Sequence, residues 1–132
     1  MDYKEKYEEM QRLDESANKL EEQIRKIEDQ MDEVLYTRKS IDELKEVKPG
    51  TEILVPISNG IFAKAEIKDS ENLKVNVGGG TVAGKNTEET KKLLDDQMKE
   101  LRKYKDEMKE HLDKVIVQMQ TLEGEVENKV KG

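Results

Sequence analysis

The chain has 132 residues, 42% charged and 33% apolar, with a formal net charge of −7 and no cysteine. That composition excludes a disulfide framework and thiolate chemistry, contains no apolar run of transmembrane length, and offers no cluster of Lys and Arg for tracking a nucleic-acid backbone. It is poor material for one compact core but sufficient for a coiled coil, in which only the a and d positions need be apolar.

The charge is unevenly spread. Residues 1–48 hold 10 basic and 15 acidic side chains, residues 87–132 hold 10 and 12, and residues 49–86 hold 4 of each. Three segments follow: a coiled-coil helix over 1–48, a β-rich module over 49–86 and a second coiled-coil helix over 87–132. With no signal-peptide hydrophobic region either, the expected setting is soluble and cytoplasmic, with no membrane partner.

The first heptad stretch runs from about Tyr3 to Leu44, with Met10, Leu13, Ala17, Leu20, Ile24, Ile27, Met31, Val34 and Ile41 on a three-four rhythm. That spacing averages 3.5 residues, the period of a left-handed coiled coil. The helix end is placed near Lys48-Pro49-Gly50, because proline disfavours helical geometry in the residue before it.

Four short strands are expected next. Glu52–Ile57 and Ile61–Ile67 flank Ser58-Asn59-Gly60, a hairpin turn in which Asn and Gly tolerate positive φ. Leu73–Val77 and Thr81–Ala83 flank Gly78-Gly79-Gly80, and Lys68–Asn72 is a polar turn between the hairpins. Two isolated hairpins are marginal in water and leave edges open, so the module is expected to pair with copies of itself or a relative.

The second helix is expected from Asn86 or Thr87, with Asn86 and Glu89 spaced for a capping-box-like start. Leu94, Met98, Leu101, Met108, Leu112, Val115, Met119, Leu122 and Val126 repeat the three-four rhythm. Equal helix lengths favour an antiparallel hairpin with partner positions summing to 132, a shift of one heptad being the competing register. Arg38, Lys91, Lys105 and Lys129 intrude at core-type positions, their stems able to snorkel along the seam. Two readings of them stand: a loosely packed coil, or a seam weak enough to open towards a client. The same hairpin brings Tyr3, Tyr7, Met10 and Leu13 near Met119, Leu122, Val126 and Val130, where fraying turns leave apolar side chains able to touch other chains. Ordinary packing of the last heptads explains the same residues.

Catalytic signals are thin. Gly79–Asn86 approaches a phosphate-binding loop, but Asn86 stands where a magnesium-holding Ser or Thr is needed. A glycine turn followed by a helix cap explains it better. His111, the only histidine, lies beside the seam with no companion ligands, and Asp95-Asp96 read as solvated charges. No catalytic residue, metal ligand or cofactor site is expected.

The stretches Leu54-Val55-Pro56-Ile57-Ser58-Asn59-Gly60-Ile61-Phe62-Ala63-Lys64-Ala65 and Val75-Asn76-Val77-Gly78-Gly79-Gly80-Thr81-Val82, set between two coiled-coil helices, resemble the α class of archaeal prefoldin subunits. Four central strands suit the α class, since the β class has one hairpin. Thr81, where the family commonly has an aromatic, and Gly84 depart from its pattern. The resemblance implies an α+β fold: a long antiparallel coiled-coil hairpin with a central module of two β-hairpins that oligomerises into a β-barrel. It implies a hexamer with β-class subunits, two α and four β, assembled through Ile53, Val55, Ile57, Ile61, Phe62, Val75, Val77 and Val82. It further implies an ATP-independent chaperone that holds non-native client proteins and passes them to a group II chaperonin. Client contacts would fall on Tyr3, Tyr7, Met10, Leu13, Met119, Leu122, Val126 and Val130. A homo-oligomeric relative of this fold and a passive coiled-coil scaffold remain the alternatives.

Overall fold

A computed structural model describes residues 2–131, with side chains described through residue 128. The order is α1 (Tyr3–Lys45), β1 (Glu52–Ser58), β2 (Ile61–Glu66), β3 (Asn72–Gly78), β4 (Thr81–Asn86) and α2 (Thr87–Lys131). The chain divides into two compact units, one holding residues up to Asp32 and from Lys99 onward, the other Glu33–Met98. They are called here the helical unit and the mixed unit.

Helix α1 starts at a reciprocal cap. The Glu5 amide donates to Asp2 Oδ1 at 2.8 Å, and the Asp2 amide donates to Glu5 Oε2 at 3.3 Å. This supplies partners to amides that a helix start leaves free. The helix ends at Lys45, three residues before the sequence-based expectation. Its last turn tightens, Glu46 and Val47 donating to the carbonyls three residues back. Lys48 then opens a turn around Pro49 and Gly50, its carbonyl accepting from both the amide and the hydroxyl of Thr51. Gly50 sits at φ 89°, the geometry that a Pro-Gly turn requires at its second central residue.

In the helical unit the two helices run antiparallel. Leu13, Ala17, Leu20 and Val115 form the buried cluster, with Leu112, Met119 and Leu122 packed on it. Ile24 and Ile27 continue the buried stripe along α1. Lys6 pairs with Glu125 at 3.2 Å and Lys105 with Glu28 at 3.9 Å. Burying one Leu or Ile side chain contributes about 1.5–3 kcal/mol, whereas the attraction in these partly buried ion pairs is offset by the cost of desolvating the charges. The apolar stripe therefore holds the unit, and the charges select alignment.

The mixed unit repeats the antiparallel pairing over shorter segments. Ile41, Leu94 and Met98 are buried. Arg38 Nε donates to Asp95 at 2.9 Å, Lys91 pairs with Asp42, and Lys45 meets Glu88 at 3.5 Å. In each unit, every described cross-helix ion pair joins positions whose numbers sum to within one of 132. That is the expected register, with no heptad shift.

The four strands make two separate antiparallel hairpins. Asn59 and Gly60 at φ 51° and 77° form the first two-residue turn, and Gly79 and Gly80 at 59° and 75° form the second. Both pairs have the positive φ that hairpin turns of this length demand. The hairpins are built alike. Val55 faces Ala63 and Val75 faces Ala83; Ile57 in one and Val77 in the other stand as unpaired bulge residues. Strand β4 runs three residues beyond expectation, to Asn86, and passes straight into α2. Asn86 caps that helix, its Oδ1 accepting the Glu89 amide at 2.8 Å. Buried Thr87 ties the junction to the turn that precedes β3, its amide and hydroxyl both donating to the Glu71 carbonyl.

Two outcomes are expected from this architecture. With cysteines at Ala17 and Val115 a disulfide forms within one chain on oxidation, whereas the pair Ala17 and Leu122, one heptad off, does not cross-link; mass and non-reducing electrophoresis read both. The second concerns the turn before β3. Hydrogen bonds from the Asn72 side chain and from the Glu71 and Asn72 amides hold the Asp69 carboxyl below its ordinary value. The folded chain thus binds fewer protons than the unfolded one in the carboxylate range, so this contribution is intact at neutral pH and fades as pH falls below about 4. Asp69→Asn should flatten the acid side of a stability-against-pH curve measured by urea unfolding.

Candidate functional site

No described carboxylate, histidine or cysteine cluster of three or more is placed to hold a metal ion. The near phosphate-binding loop resolves into structure: Gly79 and Gly80 are the hairpin turn, Lys85 lies in β4 and Asn86 is the helix cap. His111 is exposed, and Asp95 pairs with Arg38. The seam cations are likewise accounted for. Arg38, Lys91 and Lys105 each reach an acid on the opposite helix, with Lys91 and Lys105 side chains only 18% and 22% exposed. The hydrogen bond from Lys91, with the nearby charges of Lys91, Arg38 and Lys45, holds Asp42 below the usual carboxylate value. Lys129 lies outside the described side chains.

Two apolar surfaces remain, one in each unit. In the helical unit, the residues named for client contact lie at the end that carries residues 3–13 and 119–126. Tyr3 and Tyr7, one helical turn apart, are 39% and 50% exposed, with ring centroids 5.2 Å apart and planes tilted by 50°. The neighbouring Tyr7 phenol raises the Tyr3 phenol above its ordinary value. Tilted aromatic pairs are favourable and leave their edges for other contacts. The remaining residues are less open. Met10, Met119, Leu122 and Val126 are half-buried. Leu13 is buried within the cluster around Ala17 and Val115, which makes it a packing residue in the closed seam. Val130 lies outside the described side chains.

In the mixed unit, the hairpins carry the largest exposed apolar surface. Val55, Ile57, Ile61 and Phe62 stand open on the first, and Val77 and Val82 on the second. Ile53 and Val75 are half-buried instead, on the face shared with Ala63 and Ala65 in one hairpin and Ala83 in the other. Leu54, 60% exposed, belongs to the open set and was passed over in the sequence. Strand alternation could have found it, because Leu54 and Phe62 share the face opposite Ile53. The helices add exposed Leu35, Tyr36, Tyr104 and Val117, none at a seam position. With only two strands each, both hairpins leave backbone donors and acceptors unpaired along their outer edges.

The two hairpin faces are unequal. The first presents Leu54, Ile57, Ile61 and Phe62; the second replaces the matching positions with Lys74, Val77, Thr81 and Val82. The first is the stronger apolar contact. Ile57→Lys with Phe62→Asp should leave helix content unchanged by circular dichroism while lowering the assembly mass in light scattering; the analogous Val82→Asp should lower it less.

Compared with known proteins, residues 13–132 match the family model described as "Prefoldin subunit". The chain is 26% identical over 122 residues to "Prefoldin subunit alpha" of Thermofilum pendens, covering 92% of each. It is 27% identical over 120 residues to the protein of that description from Methanosarcina acetivorans, covering 91% of this chain and 84% of the other. In fold it is similar to a chain from the cryo-EM structure of filamentous PFD from Methanocaldococcus jannaschii. The TM-score is 0.81 at 18% identity, over 90% of this chain and 98% of that one.

Proposed function

Because the chain belongs to the prefoldin family, in its archaeal α class, we propose that this chaperone subunit is an ATP-independent holdase. It captures non-native proteins on apolar side chains at the helix ends of the helical unit and delivers them to a group II chaperonin. The family is one of chaperones rather than enzymes. The assembly proposed is a cytoplasmic hexamer with β-class subunits, two α and four β, joined through barrels built from the hairpins.

The observation that carries this reading is the pair of open-edged hairpins with exposed Leu54, Ile57, Ile61 and Phe62. Such a surface is stable in water only when covered, and covering it with related subunits brings several helix ends into one assembly. Weak apolar contacts at each end then add through effective concentration. A client with no fixed shape suits this, since Tyr and Met surfaces adapt without a matched pocket. Within this proposal Tyr3, Tyr7, Met10, Leu122 and Val126 meet the client, with Met119 and Val130 assigned there as well. Ile53, Val55, Ile57, Ile61, Phe62, Val75, Val77 and Val82, joined by Leu54, serve assembly.

A second reading is an assembly of copies of this chain alone, because the open hairpin edges can pair with copies of themselves. Mixing experiments separate the two. Light scattering of a thermally unfolding client, without ATP, should rise less when the chain and a β-class subunit are present together. Deleting residues 1–12 and 121–132 should abolish that protection. Suppression by the chain alone, as a large homo-oligomer, would favour the second reading. No suppression in either sample, beside an intact oligomer, would leave only a scaffold.

A further inference from the structure

Gly124 has no packing reason to be glycine. Gly50, Gly60, Gly78, Gly79 and Gly80 occupy turns or strand ends at positive φ, and Gly84 lies in β4. Among the described glycines Gly124 alone lies inside a helix; its φ is not positive. A Cβ built on it meets nothing within 4 Å. It stands two residues from each of the seam positions Leu122 and Val126, which turns it towards the opposite face of α2. Alanine would fit there and would strengthen the helix about four- to five-fold in its local equilibrium.

The closed seam beside it hides most of what a client would touch. Leu13 is buried and Met10, Met119, Leu122 and Val126 are half-buried, which leaves Tyr3 and Tyr7 as the open side chains of that set. Glu125, next to Gly124, supplies the ion pair to Lys6 that ties the two helices there.

We propose that Gly124 is a built-in weak point of α2: the turns around it open locally, and that opening presents Leu122, Val126 and Met10 to a non-native chain. The final step rests on the holding function proposed above; the weak point itself does not. The opening event breaks one partly buried ion pair and separates the seam at Leu122 and Val126, while the buried cluster around Ala17 and Val115 stays closed. Apolar surface kept shut in this way does not promote contact between idle subunits, yet becomes available by local unfolding, well below the cost of global unfolding.

The test compares the assembled wild-type chain with Gly124→Ala and with Gly124→Ala combined with Gln120→Gly, which moves the glycine one turn back along the same helix face. Amide hydrogen exchange over residues 121–128 should slow about four- to five-fold in Gly124→Ala and return towards wild type in the double variant. Suppression of client aggregation should weaken and recover in parallel. Unchanged exchange in Gly124→Ala overturns the weak point. Slowed exchange with undiminished suppression overturns the presentation step, because the closed surface would then suffice. If the wild-type assembly holds no client, the presentation step falls with the holding function, and exchange alone decides the weak point.

Discussion

Each helix of this protein carries one narrow apolar stripe, and a stripe of that width is stable only against another. Long isolated helices gain little from propensity alone; here they gain from Leu13, Leu20, Ile24 and Val115 in one unit and from Ile41, Leu94 and Met98 in the other. The requirement that these residues meet dictates antiparallel pairing, and it frees the other positions to be charged. The high charge of the sequence is thus a consequence of the architecture.

The cations inside the stripe add selection to attraction. Arg38, Lys91 and Lys105 each lie where an apolar residue would pack, and each finds Asp or Glu on the facing helix. Such positions lower stability while favouring one alignment. Shifted by a heptad in one direction, Arg38 would confront Arg102 and Lys105 would confront Leu35. Alignment therefore carries a penalty for error that an all-leucine stripe would lack. In the closed seam each of these cations is paired across the helices.

Where the seam is a self-contained solution, the hairpins are an unfinished one. Their turns are well determined, with positive φ at Asn59, Gly60, Gly79 and Gly80, but their edges are unpaired and their apolar faces open. A fold that completes one surface internally and leaves another for a partner is a subunit. The two hairpin faces are unequal, the first more apolar than the second.

The sequence by itself determined the helices, strands and turns, because each rests on local rules: three-four periodicity, Asn-Gly and Gly-Gly turns, Pro49 and the Asn86 cap. It narrowed the register to the pairing summing to 132 and its one-heptad shift, and the cross-helix ion pairs of the structure chose the former. Tertiary structure decided exposure, which periodicity does not set. Leu13 proved to be core although it shares an end with Tyr3 and Tyr7, because a seam position is buried wherever its partners persist. Leu54 proved open together with Phe62, with which it shares a face. The matched bulges at Ile57 and Val77 likewise emerged only from hydrogen-bond registers. The partners of Lys91 and Lys105 were equally invisible in one dimension, since they lie on the other helix, far away along the chain.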